Sequence, residues 1–154
     1  MAPDLPPPQN SHEAAEQVDA IKKRRRKHVE HWRKASRIHE QARRMHKREL
    51  RVATLIHRAV TPVAVRESEV GAHPLSDDVK AQACVLLEAL DLDPSKVGPP
   101  ECVDDLEYIR GLAESEEDRA RQEVRDIGDE RRQWLSVASM SREEAGFIRA
   151  GGDT

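Results

Sequence analysis

Between Lys22 and Arg58 stand 15 lysines and arginines against three acids, Glu30, Glu40 and Glu49, and the densest part is the hexad KKRRRK at 22–27. Side chains of this kind at this density neutralise phosphates, and arginine adds bidentate contacts to phosphate oxygens. The candidate contacts are Lys22, Lys23, Arg24, Arg25, Arg26, Lys27, Arg33, Lys34, Arg37 and Arg44. DNA or RNA is the expected partner. Neutralising about six phosphates of duplex DNA would give a log–log salt slope near −5. The plain alternative is a solvated helix face, with the chain acting as a helical scaffold or assembly protein that self-associates or docks on an acidic protein. In a eukaryote the hexad also reads as a nuclear-import signal.

Little points to sequence-specific reading. KASRIHEQARR lacks the asparagine of a basic-leucine-zipper basic region, and no helix-turn-helix spacing is present. The four aromatic residues, Trp32, Tyr108, Trp134 and Phe147, are too few for a base-stacking platform.

His28, His39, His46 and His57 form a second pattern, spaced by 7 or 11 residues. On one helix that is about 10–16 Å between neighbours, too far for chelation, so no metal is expected. They read as polar members of a packing seam that set register. Buried neutral, they would charge in acid near pH ~6.5 and loosen the pairing.

No catalytic set or cofactor site emerges, and the chain does not read as an enzyme. ESEED at 114–118 has no companion His or Cys and reads as a solvated face. Cys84, among Ala83, Val85 and Leu86, reads as a core thiol; Cys102 sits at a helix start, where the dipole could lower its pKa. The 18-residue separation of the two cysteines suggests neither a disulfide framework nor a zinc knuckle.

Long helices must position these residues. Residues 1–10 hold four prolines and read as a flexible, Pro-rich, disordered tail. From residue 11 no Gly or Pro occurs until Pro62, which permits one basic helix over 11–60. Its narrow seam begins Ile21, His28, Trp32, Ala35, His39 and continues to Val60 with heptad-like spacing; Ile38, Met45, Val52 and Ile56 widen it. Residues 38–60 are therefore expected inside a bundle, with 12–36 projecting as an arm. An arm with an uncovered seam at Ile21, His28, Trp32, Ala35 and His39 implies a homodimer.

Residues 61–75 read as a connector without helical period, and residues 76–150 as an acidic helical region packing on the first helix. Within it, Ser76 starts a short helix, DLDPSKVGPP breaks the chain, and a second long helix covers about 101–139, with bending or fraying near 111–119. Ser141 and Glu144 form a capping box for a separate last helix, followed by a tail at 151–154. The expected fold is all-α, with two long helices in an antiparallel hairpin or small bundle and a short connecting helix. The expected register sets residue 60 level with 101 and residue 20 near 140. Acidic 101–130 then lies beside basic 31–60, and 22–27 faces Arg131, Arg132 and Trp134 with no acidic counterpart.

The charge is segregated. Residues 22–58 carry +12 and residues 76–154 carry −10, although the net charge is −3. Such a dipole favours partners that distinguish its ends. No apolar run approaches a membrane span and no signal peptide is evident, so a cytoplasmic protein is expected, with no membrane partner, or a nuclear one in a eukaryote. Arginine's 19-to-7 excess over lysine suggests a GC-rich bacterial or phage source.

Overall fold

A computed structural model describes the backbone of residues 11–60 and 66–152 and the side chains of 12–60 and 66–137. The expected tail at 1–10 lies outside the described residues. The helices are α1 (Ser11–Val60), α2 (Glu67–Gly71), α3 (Asp77–Ala89), α4 (Pro94–Val97) and α5 (Val103–Gly152). Contacts divide the chain into two compact units, Met1–Trp32 with Ala120–Thr154, and Arg33–Arg119. Within each, α1 and α5 pack antiparallel, so the fold is all-α with two long helices and short connecting ones.

α1 is unbroken because residues 11–60 contain no Gly or Pro, and His57 and Arg58 complement the dipole in its last turn. Ser76 caps α3, its hydroxyl accepting from the Val79 N–H at 3.4 Å, while Asp77 and Asp78 occupy the first turn. The far end of α3 is a Schellman turn: Leu92 N–H donates to the Leu87 carbonyl and Asp91 N–H to that of Glu88, both at 2.9 Å. Asp91 adopts the left-handed conformation this requires, with φ 59°. Asp93 caps α4 through the Ser95 N–H, and Gly98 leaves it at φ 100°.

Several expectations are corrected. The connector contains α2, and the 93–98 break contains α4. No helix break separates Ser139 from Ser141: α5 runs on to Gly152, so Gly151 and Gly152 close the helix rather than open a tail. It also passes through Gly111 and residues 112–119 without interruption. A Cβ at Gly111 or Gly128 would meet nothing within 4 Å, so neither glycine serves a close approach.

In the unit Arg33–Arg119, the core gathers Ile38, Ala42, Met45 and Ala53 of α1, Val70 of α2, the Val79, Ala83, Leu86 and Leu87 face of α3, and Val103, Leu106, Ile109 and Ala113 of α5. The start of α5 is clipped to the connector by Leu75 N–H to the Glu101 carbonyl (2.9 Å) and Val103 N–H to the His73 carbonyl (3.1 Å). That clip, which no periodicity encodes, shifts the register. His39 faces Glu117 and His46 faces Arg110, where the expected register would set residue 39 against about residue 122. The end of α1 overruns its cover as a result: Leu50, Val52, Leu55, Ile56 and Val60 are exposed rather than embedded.

In the other unit, Ala14, Val18 and Ile21 of α1 pack with Ile127 and Trp134 of α5 in a small separate cluster. His28 pairs with Glu123 across the same two helices. The expected arm is therefore no bare projection, because its seam is covered by the chain's own second long helix.

Candidate nucleic-acid interface

Helical geometry distributes the hexad before any contact is considered. At 100° per residue, Lys22, Arg26, Lys23 and Lys27 span a sector of about 140°, while Arg24 and Arg25 fall on either side of Ile21. Since Ile21 and Val18 are buried against α5, those four cations lie outside the packed face, whereas Arg25 projects between Ile21 and Val18. All six hexad side chains are exposed.

Arg24 is the exception to the expected lack of an acidic counterpart, because its guanidinium bridges to Glu130. The register shift brings that carboxylate level with the hexad in place of the expected Arg131 and Arg132. Among the described residues, Lys22, Lys23, Arg25, Arg26 and Lys27 have no acid partner.

In the unit Arg33–Arg119, Arg33, Lys34 and Arg37 are likewise exposed and have no acid partner among the described residues. Arg44 differs. Its Nε donates to Glu40 at 2.9 Å, and Arg43 holds the same carboxylate with a second and third hydrogen bond. The Arg43 hydrogen bonds first, opposed by desolvation and reinforced by Arg44, bring the Glu40 pKa down to about 2. Glu40 therefore stays ionised at any physiological pH, and Arg44 is partly neutralised within its own helix.

The seam residues fall inside the two units. Ile21 and Ala35 are buried, while Trp32, His28 and His39 are half-buried. His39 Nδ1 lies 2.6 Å from Glu117 and His28 Nδ1 lies 3.1 Å from Glu123. His57 meets His73 edge to face, with ring centroids 5.3 Å apart. Each seam histidine thus has a neighbour from α5 or the connector. The excess of seam over cover, from which a dimer was expected, is not present at these positions. The Trp32 indole N–H is buried without a partner among the described residues.

His46 alone of the four is nearly inaccessible, at 7% exposure. Burial lowers its pKa; Glu107 opposes this, Arg110 reinforces it, and Asp104 opposes it weakly. It lines a cleft of about 620 Å³ with Thr54, Arg58, Glu67, Asp104 and Glu107. The Thr54 hydroxyl donates to the Leu50 carbonyl at 2.7 Å and so is not a free nucleophile there. Nor does any group of three His, Cys, Asp or Glu among the described residues have metal-holding geometry.

Cys102 departs from the expected low pKa. Burial raises it, and the thiol also donates to the Asp105 carboxylate at 3.4 Å. Asp105 accepts the Glu101 and Cys102 N–H groups at 2.8 and 3.0 Å and so closes the N-terminus of α5. The carboxylate neutralises the dipole that would otherwise have favoured a thiolate. Among the described residues, no helix is long and apolar enough to cross a membrane.

Sequence reasoning did not find Glu130 and Glu40, the acids that engage Arg24 and Arg44. Glu40 was legible at i, i+4 spacing from Arg44. Glu130 needed the register. No family model, curated protein or solved structure matches this chain.

Proposed function

We propose that this protein binds DNA or RNA through phosphate contacts from the basic part of α1, with little sequence choice. The observation that supports this reading most directly is the unpartnered sector of Lys22, Lys23, Arg26 and Lys27, outside the face already packed on α5, with Arg25 exposed and unpartnered beside it. In the unit Arg33–Arg119, Arg33, Lys34 and Arg37 are exposed cations of the same kind. A sector this wide suits a charged groove or backbone better than base edges, which are read by a few side chains on one helix face.

Fluorescence polarisation with labelled duplex DNA and single-stranded RNA at 50 and 200 mM salt tests the reading. With about five phosphates neutralised, the slope is near −4.5, so affinity for the duplex falls roughly 500-fold over that range. Replacing the five cations with glutamine should abolish binding, whereas Arg24→Gln should weaken it least because Glu130 already engages that side chain. Binding to neither polymer, or binding indifferent to salt, would sink the proposal.

A further inference from the structure

The C-terminal half of α1 has a different surface from the hexad, and it lies wholly within the unit Arg33–Arg119. Between α1 and α3 a groove of about 430 Å³ is lined by Gln41, Arg44, Met45 and Arg48 on one side and by Gln82, Val85 and Leu86 on the other. Its α1 wall has the spacing 41, 44, 45, 48. Continued along the helix, the same sector carries Val52, Leu55, Ile56 and Ala59. These are exposed apolar groups, with Leu55 at 58% and Val52 and Ile56 at 43% each, while Val85 on the α3 wall is 62% exposed. From Gln41 to Ala59 the stripe is about 27 Å long, roughly five turns of helix.

Along its outer edge the stripe is bordered by arginine. Arg44, Arg48, Arg51 and Arg58 fall within about 80° of one another on the helical projection, with Arg44, Arg51 and Arg58 on the solvent side of Leu55 and Arg48 between Leu55 and Val52. Arg44 and Arg48 bridge to Glu40 and Glu49 through Nε, yet their side chains remain 76% and 58% exposed. Arg51 and Arg58 are exposed as well.

We infer that this groove and stripe form a docking site for an acidic amphipathic helix of a protein partner, its apolar row laid on Met45, Val52, Leu55 and Val85 and its carboxylates facing the arginine edge. Charge complementarity selects this occupant. A second copy of the same surface would bring arginine edge against arginine edge. An anionic bilayer needs an uninterrupted apolar face, and Arg48 interrupts this one between Met45 and Val52. A helix in a groove uses anchors at i, i+3/i+4 and i+7, which is the spacing on offer here. The site is separate from the nucleic-acid reading and does not depend on it.

The test uses the full chain and three fluorescein-labelled peptides of about 18 residues: a leucine-row helix flanked by glutamates, the same helix flanked by lysines, and a scramble of the first. The glutamate peptide should bind at least about tenfold tighter than either control, with affinity falling as salt rises. Leu55→Asp and Arg48→Glu should each weaken it by at least about tenfold, with the helical circular dichroism and the polarisation response to duplex DNA unchanged. Equal binding of the three peptides, or retention of binding by both variants, would overturn the inference. So would a solution dimer dissociated by Leu55→Asp, which would assign the surface to a second copy. Phosphatidylserine vesicles that bind more tightly than the peptide and lose the variant would assign it to a membrane.

Discussion

At the scale of single residues, His46 shows how one seam position can differ from its neighbours. His28 and His39 face carboxylates, so a proton on either ring forms an ion pair. His46 is buried beside Arg110, with its Nδ1 3.4 Å from the guanidinium, and a proton there is opposed by desolvation and by Arg110, which together outweigh the attraction of Glu107 and Asp104. Its folded pKa therefore lies below the unfolded value of about 6.5, and the unfolded chain takes up the proton first as the pH falls. Its stabilising contribution is complete above about pH 6.5, shrinks as the pH drops toward the folded pKa, and levels off below it. One proton sets a ceiling of about 1.4 kcal/mol per pH unit on the slope. Urea denaturation followed by Tyr108 emission or circular dichroism between pH 7.5 and 5.5 should show this loss. His46→Leu should flatten the profile in that window, and an unchanged profile would contradict the assignment. The sequence treats the seam histidines alike, whereas the structure sets His46 beside Arg110 and His28 and His39 beside carboxylates, because the row shows which side chains share a face but not which charges stand opposite.

At the scale of elements, what was legible depended on length. α1 could be read to within a residue from the run free of Gly and Pro, and α3 from Ser76 and the leucines behind it. α2 and α4, of five and four residues, are too short for any hydrophobic period to develop. Register was not legible because it follows from the Leu75–Glu101 and His73–Val103 hydrogen bonds, a tertiary event. The same clip explains why an apolar row at 50–60 could not be assigned to a core: a pattern shows that a face is apolar, not that something covers it. In the candidate interface, the exposed cations were legible by type, and the engagement of Arg24 by Glu130 was not. α5 offers a direct test of propensity. Gly111 is exposed within a continuous helix and a Cβ there meets open space, so Gly111→Ala should stabilise the unit Arg33–Arg119 by about 0.5–1 kcal/mol in chemical denaturation. A destabilised variant would mean that the helix departs from regular geometry at that turn.

At the scale of the molecule, the segregated charge and the two compact units bear on oligomeric state. Both tryptophans, Trp32 and Trp134, belong to the unit Met1–Trp32 with Ala120–Thr154, whereas Tyr108 belongs to the other, so indole emission reports one unit alone. Ile21 is 3% exposed and packs with Ile127 and Trp134, which makes it a core residue of that unit rather than a free seam position. Ile21→Glu would bury a carboxylate in this small cluster at a cost of about 3 kcal/mol or more. The variant should red-shift tryptophan emission and lose protection of amides in 12–32 and 120–137, while amides in the core of Arg33–Arg119 stay protected. Light scattering should return the mass of a single 17.4 kDa chain for both wild type and variant. A wild-type dimer that Ile21→Glu converts to monomer with unshifted emission would restore the intermolecular seam. It would also mean that Ile21 meets a second chain in solution and not Trp134 of its own.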